Sequence, residues 1–405
     1  MVCRVGPDAA PGVLASTASA TQSSSAFTCM TTSPKHKLSP PFRGDHNGSF
    51  LRPKELLEAR KQAYEGKLYP EELQKLEDEH IAKLVKKEQE VGIRAITDGE
   101  FRRQYFHLDF LKQLDGVTVT GAIKSIEGKG GMMPPQLSVT GKLGLSKPIE
   151  VPDYNYVRSL IDPAKGHIGK INIPSPTMAH FRGGRAAINI DAYPDMDVFF
   201  EDLAKVFREE IDALYAAGCR YIQLDDTNLA YLCDPEMRKS AADRHGDINA
   251  LPRQYAKLIN ACIDGRPDDL CIAIHLCRGN YRSTFFASGG YEPVAEVLFR
   301  ELNVDCYFLE WENERSGDFK PLRYLPSGKV VVLGLVSSKE STMEKKEDII
   351  ARIHEAAKYA PLEQLALSPQ CGFSSTEEGN NISEETQWEK MKLVLEIAKE
   401  VWSDA

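Results

Sequence analysis

The segment CIAIHLCRGN, residues 271–280, runs from small and β-branched apolar residues straight into a histidine and a cysteine. Its length and composition predict a short buried strand, and residues i and i+2 of a strand point to the same side. His275 and Cys277 therefore face one point in space, which is half of a metal site set at a strand end.

The same kind of run recurs at IRAIT (93–97), KINIP (170–174), YIQLD (221–225), CYFLE (306–310), VVVLGLV (330–336) and LALSP (365–369), and a less apolar one leads into PFRGDHNGS. With 271–275 these make eight. Amphipathic helical stretches lie between them. One is PEELQKLEDEHIAKLVKKEQEVG; a second is DVFFEDLAKVFREEIDALYAAG, with Leu203, Val206, Phe207, Ile211 and Leu214 on one face and Gly218 as its stop. A third, STMEKKEDIIARIHEAAKYA, reads as opened by a capping box from Ser341 to Glu344. Strand and helix alternating over residues 42–405 predict an α/β chain closed as a single (β/α)8 TIM barrel, with a doubly wound open sheet as the alternative.

Within that barrel, segment 113–165 carries GVTVTGAI and PQLSVTGKLGL around a glycine-rich tip and reads as a β-hairpin inserted in one connection. Residues 1–41, rich in Ser, Thr and Ala and without a period, read as a disordered N-terminal tail. A single Arg before Met30 and no amphipathic face argue against an organelle-targeting peptide, and translation beginning at Met30 is the other reading. The net charge of −9, the lack of a basic block and the lack of a bilayer-length apolar stretch exclude nucleic acid and membrane as main partners. Small-molecule substrates remain, and a homo-oligomer is compatible with this composition. Nine cysteines, with Cys219, Cys262, Cys271 and Cys306 inside apolar runs, fit reduced buried thiols and a cytoplasmic location rather than a disulfide scaffold.

In such a barrel the chemistry sits at the C-terminal strand ends. These carry Asp45 to Ser49, Asp98 to Glu100, Asp225 and Asp226, His275 and Cys277, Glu310 to Glu312, Ser337 to Lys339, and Pro369 to Gly372. A lone buried cysteine or histidine is usually core filling. His275, Cys277, Glu310 and Cys371 are different, because four come together on three strand ends expected to be neighbours. Two thiolates, an imidazole and a carboxylate make a shell typical of zinc. Glu312 shares its strand end with Glu310 and points to the same side.

The segments DHNGSFLRP, TDGEF, YIQLDD, IHLCRGN, DCYFLE with the following RSGDF, and SPQCGF run in order along nearly the whole barrel. In them the chain from about residue 42 resembles the catalytic, C-terminal barrel of cobalamin-independent methionine synthase, and more closely that barrel's shorter stand-alone bacterial and fungal relatives. The resemblance implies zinc on His275, Cys277, Glu310 and Cys371, with Glu310 favoured over Glu312 by its spacing from Asp305. It implies methyl transfer from 5-methyltetrahydrofolate to homocysteine, whose thiol becomes a thiolate on the metal. Ser49, Glu100 and Asp225 would then hold the amino acid, the carboxylates taking its ammonium and the Gly48-Ser49 segment its carboxylate. His46 of the same DHNGS motif is grouped with them as substrate-binding.

Asp225 and Lys339 are the catalytic candidates. Lys339, in GLVSSKES, stands where full-length synthases carry a histidine thought to protonate the departing folate nitrogen. Two other readings keep the site. One is a zinc-dependent alkyltransferase of the epoxide:thiol kind, favoured by Lys339 and by the absence of the full-length enzymes' N-terminal domain. The other is a barrel that keeps zinc for structure and binds a thiol without turnover. A decarboxylase of the uroporphyrinogen type shares the barrel but leaves the metal set unexplained.

Overall fold

Six of the apolar runs form one parallel sheet, in the order Ile171–Pro174, Tyr221–Asp226, Cys271–Leu276, Cys306–Glu310, Val330–Val336 and Leu365–Pro369. Its two edges are extended until they meet. Ala95–Ile96 pairs in parallel with Ile168–Gly169, just ahead of the first of the six, and Gly44 bridges Leu367 on the last. The ends then join through Thr97 Oγ1 donating to the Gly48 carbonyl (2.7 Å) and Phe50 N donating to the Gly99 carbonyl (3.2 Å). The result is a (β/α)8 barrel. The computed structural model describes residues 39–120, 124–126, 131–133 and 135–405. Residues 1–38 of the tail expected over 1–41, and the tip of the hairpin, lie outside these.

The period of two decides what faces inward. Ile272, Ile274 and Leu276 point into the large core shared with the helices, while Ala273 points into the barrel and His275 lines the cavity above it. Tyr221, Phe308, Val330, Val332 and Ala366 pack inside as a floor. Further along the same inward faces come Asp225, His275 and Glu310. A polar plug seals the floor. The buried Lys170 Nζ donates to Asp45 Oδ1 (3.3 Å) and the His46 carbonyl (2.5 Å) and lies 4.2 Å from the Phe308 ring centre. Tyr221 donates its hydroxyl to Asp45 Oδ2 at 2.9 Å.

Outside pack Pro70–Val91, Val151–Leu160, Met196–Ala216, Leu251–Ile263, Lys346–Ala356 and Glu384–Val401. Met196–Ala216 buries Leu203, Val206, Phe207, Ile211 and Leu214 as its pattern predicts. The alternation weakens in two places. The connection after Cys271–Leu276 includes the five-residue π-turn Val297–Glu301, and the one after Cys306–Glu310 has only the 3₁₀ turns Glu314–Ser316 and Lys320–Tyr324. Ser341 caps nothing, because the helix begins at Lys346. Glu344 instead accepts from Lys390 Nζ (2.9 Å) and Ser337 N (2.7 Å). A buried ammonium needs a carboxylate more than a helix end needs a second cap.

Between the second barrel position and its helix, Asp115–Thr120 pairs antiparallel with Gln136–Gly144, and Val139 bridges Ile188 on the barrel body. Among the described residues no helix is long and apolar enough to cross a membrane. The seven described cysteines are free, and Cys271 is only partly buried.

Candidate metal centre and active site

At the rim the strand ends bring His275, Cys277, Glu310 and Cys371 together, with one donor atom from each within 4.8 Å of all the others. All four are buried. The two sulfurs are 3.4 Å apart, and both ring nitrogens of His275 are buried without a hydrogen-bond partner. An unpartnered buried imidazole is costly unless a ligand completes it. This donor set therefore fits a tetrahedral divalent metal such as zinc. The residues around it fix the ligands: Arg278 N donates to Glu310 Oε1 (2.9 Å), Gly279 N to Cys277 Sγ (3.3 Å), and Gln370 Nε2 reaches Glu310 Oε2 (3.4 Å). Glu312 turns away, held by Arg315 Nη2 (2.5 Å) and Ser316 Oγ (3.2 Å).

Electrostatics favour charged donors here. The Cys277 thiol hydrogen-bonded to it, together with His275, holds Cys371 well below the ordinary thiol range despite its burial. That same bond and burial push Cys277 well up. Burial works against the charge of His275, yet Cys371, Asp225 and Glu310 outweigh it and raise its pKa. Burial also opposes ionised Glu310, which Lys339 and Arg278 nevertheless hold below the usual carboxylate range.

Beside the cluster lies an acid pair. Arg103 stands between the two carboxylates, its Nη2 paired with Glu100 Oε2 and its Nη1 3.9 Å from Asp225 Oδ2. Asn172 Nδ2 donates to Glu100 Oε1 (2.8 Å) and Gln223 Nε2 to Asp225 Oδ1 (2.8 Å). The amide oxygens of Asn47, Asn172 and Gln223 are buried without a donor. Burial pushes the Asp225 pKa up, and His275 and Arg103 oppose it. Glu100 sits at φ 60, a strained conformation that persists where the surroundings over-determine it. Gly48 makes that approach feasible, since at φ 104 a Cβ there would lie 2.7 Å from Glu100 Oε1 and 2.0 Å from Asn172 Nδ2. Gly372 does the same for Ser49, whose Oγ would be 1.9 Å from a Cβ at 372. Ser49 thereby reaches the cavity wall.

His46 does not join them. Its Nε2 meets the Ala95 carbonyl (2.6 Å), its Nδ1 accepts from Gly48 N (3.1 Å), and burial with Lys170 nearby lowers its pKa to about 4. The ring is a neutral strut that shapes the DHNGS turn. Lys339 reaches the rim but not the cavity wall. Its Nζ donates to the carbonyls of Gly279 (3.2 Å) and Thr284 (3.3 Å) and lies 4.2 Å from the Phe285 ring centre, clamping the short hairpin of Asn280–Tyr281 and Thr284–Phe285 over the cluster.

A cavity of about 430 Å³ opens beside the cluster, walled by Ser49, Asp225, His275, Cys277 and Cys371 at its inner end. Its remaining wall is largely aromatic and basic, and several of its residues escape a reading of strand ends: Arg103, Phe106, His107, Arg182 and Tyr231. Burial, with Arg182 and Arg103 beside it, holds His107 well below the usual histidine range, so its imidazole is neutral. The run RRQYFH directly after TDGEF was the available signal, two cations followed by three aromatic rings, one of them an imidazole, next to a strand end.

Fold and donor set together define a (β/α)8 barrel whose strand ends carry four donors that could hold a metal ion. The chain belongs to the cobalamin-independent methionine synthase family, whose catalytic domain ("Cobalamin-independent synthase, Catalytic domain") matches residues 46–399. It is 43% identical to the uncharacterized protein YxjH of Bacillus subtilis over 89% of this chain and 95% of that one. It is 25% identical to the methionine synthase of Pyrococcus abyssi over 80% of this chain and 84% of the relative. Among solved structures, the putative vitamin-B12 independent methionine synthase of Listeria monocytogenes is 37% identical, with a TM-score of 0.72 over 90% of this chain and 99% of that one. A B12-independent methionine synthase from Shewanella sp. W3-18-1 shares the fold, with a TM-score of 0.67 at 22% identity over 89% of this chain and 97% of that one.

Proposed function

We propose that this chain is a zinc-dependent methyltransferase that forms methionine from homocysteine, with a methylated folate as donor. The observation that carries the reading is the buried His275–Cys277–Glu310–Cys371 set opening onto a cavity whose inner end presents Asp225, itself linked through Arg103 to Glu100. When bound, zinc would supply a Lewis acid that keeps the substrate thiol ionised at neutral pH.

The chain's own residues do the rest. Glu100 and Asp225 exchange Arg103 for the substrate ammonium, and the unpartnered amide oxygens of Asn47, Asn172 and Gln223 offer further acceptors to its N–H groups. Ser49 meets the α-carboxylate. The aromatic wall excludes water from the path between thiol and donor, so the sulfur lone pair attacks the methyl carbon. The carbon–nitrogen bond breaks with its electron pair left on the folate nitrogen, which takes a proton. Lys339 is the proposed source of that proton through the one N–H its two carbonyl partners leave over. A second reading keeps the thiol chemistry with another alkyl donor, and the commitment of Lys339 to the hairpin is what favours it.

The test is direct. Purified zinc-loaded protein is incubated with homocysteine and 5-methyltetrahydrofolate carrying one or three glutamates, and methionine is measured by mass spectrometry. Zinc-replete protein that binds homocysteine yet forms no methionine would overturn the folate reading and leave the alkyltransferase one.

A further inference from the structure

Two consecutive asparagines close to the end of the chain, Asn380 and Asn381 in the run EEGNNIS, lie behind the cavity wall and grip a strained turn. The hairpin that follows Cys277 reverses at Arg282 and Ser283, which sit at φ 46 and φ 67. Two successive left-handed residues make the tight turn that ordinarily selects Asn-Gly, and side chains with a Cβ stay there only when their surroundings over-determine them. The asparagines supply those surroundings. Ser283 N donates to Asn380 Oδ1 (3.2 Å), Asn381 N donates to Ser283 Oγ (2.9 Å) and Asn381 Nδ2 donates to the Arg282 carbonyl (3.1 Å).

Asn380 reaches further than the turn. It is buried, and its side-chain nitrogen serves two other strand ends. It donates to the Ser338 carbonyl (2.7 Å), directly before Lys339, and reaches the Gly372 carbonyl (3.5 Å), directly after Cys371. Asn280 Nδ2, three residues beyond Cys277, meets that same Gly372 carbonyl from the hairpin side (3.3 Å). The backbone N of Asn380 donates to the Phe373 carbonyl (3.0 Å) and so closes the loop that carries Cys371. One residue thus ties together the loop after Cys277, the loop after Cys371 and the segment that presents Lys339. The first two carry the sulfurs that stand 3.4 Å apart, and the third clamps the hairpin over them. A carboxamide suits this place because it alone among short side chains offers two donors and an acceptor in one plane.

A buried amide that fastens loops and touches no ligand segment also occurs in this chain. Gln364 Nε2 donates to the carbonyls of Pro326 (2.7 Å) and Lys329 (2.8 Å) just ahead of Leu365–Pro369, at the opposite end of the barrel. The two amides resemble each other in burial and in bonding to carbonyls, and differ in what they join.

Resting on the zinc part of the reading above and not on methyl transfer, we propose that Asn380 is a positioning residue for the metal centre. It sets the spacing of Cys277 and Cys371 by holding their two loops and the Lys339 segment in one register. Sulfurs held in place before the ion arrives release it slowly. Removing the groups that orient metal ligands typically weakens binding by about 10- to 100-fold.

Zinc release tests this. The zinc-loaded full chain is mixed with a chromogenic chelator well below its melting temperature, and the release rate is read from absorbance. Asn380→Ala and Asn380→Asp should each release zinc roughly tenfold faster than the wild type or more. The aspartate keeps an acceptor for Ser283 N but offers neither carbonyl a donor, and it carries the comparison if the alanine variant does not fold. Gln364→Ala strands two carbonyls at the far end, so it should lower the melting temperature and leave zinc release unchanged. Hydrogen exchange on the metal-free chain supplies a second readout: residues 279–286 and 371–375 should exchange faster in the Asn380 variants and at the wild-type rate in Gln364→Ala. If the wild type takes up no zinc, the zinc reading fails, and the positioning role stands or falls on the exchange rates. Wild-type zinc release in both Asn380 variants, equal acceleration by Gln364→Ala, or unchanged exchange of both segments overturns the role of Asn380.

Discussion

Asp225→Asn should separate substrate recognition from stability in opposite directions. The substitution keeps shape and keeps an oxygen for Gln223 Nε2, now 2.8 Å from Asp225 Oδ1, but removes the charge. Asp225 is 7% exposed, and burial raises its pKa against the pull of His275 and Arg103. The sign follows from linkage: a carboxyl whose pKa is raised on folding costs stability above its unfolded value of about 3.9, and the cost disappears when the group is protonated or removed. Arg103 keeps its bond to Glu100. The asparagine variant should therefore melt at the wild-type temperature or about 2 °C above it.

Homocysteine faces the reverse. Its ammonium loses one of two buried carboxylates, a loss of about 3 kcal/mol, or roughly 150-fold in Kd. Calorimetry on zinc-loaded protein reads this, and the des-amino analogue mercaptobutyrate supplies the control, because it should lose less than about twofold. Unchanged homocysteine affinity, or an equal loss for mercaptobutyrate, would refute the ammonium role.

Three further predictions follow from other contacts. Cys277→Ala and Cys371→Ala should each release zinc in elemental analysis, whereas Glu312→Gln should keep it, since that carboxylate is spent on Arg315 and Ser316; zinc retained by both alanine variants would remove the metal assignment. Lys339→Met should lower turnover and loosen the 280–285 hairpin. It should also shift acid-induced zinc loss to higher pH, because Glu310 loses the neighbour that most depresses its pKa, and zinc loss at the wild-type pH would contradict that link. Glu344→Ala should cost about 3–5 kcal/mol by stranding buried Lys390, while Ser341→Ala stays within about 0.5 kcal/mol, both read by denaturant melts.

The barrel was legible because staves buried on both faces read as unbroken apolar runs, and the convergence of the donor set because His275 and Cys277, at i and i+2 where the strand Cys271–Leu276 ends, need no tertiary information to be aimed together. What escaped was set by partners far along the chain. Glu344 looked like half of a cap until Lys390, 46 residues on, claimed it. His46 read as substrate-binding because it shares the DHNGS motif with Ser49, but its nitrogens belong to Ala95 and Gly48. The connection after Glu310 holds Gly317 and Pro321, which break a helix, and those residues were readable. Arg103 and Arg182 were visible only as charges; no period of the sequence tells which way an arginine in a loop faces.

The plugged floor has a kinetic consequence. Lys170, Asp45, Tyr221 and Phe308 close the barrel from below, so everything that reaches the metal ligands must pass the same mouth. Traffic through one doorway is last in, first out. The thiol, which binds deepest, should enter before the donor, and methionine should leave only after the spent donor has gone. Product inhibition exposes this order: methionine should compete with homocysteine but act as a noncompetitive inhibitor against the donor, and the opposite pattern would mean a second route into the barrel.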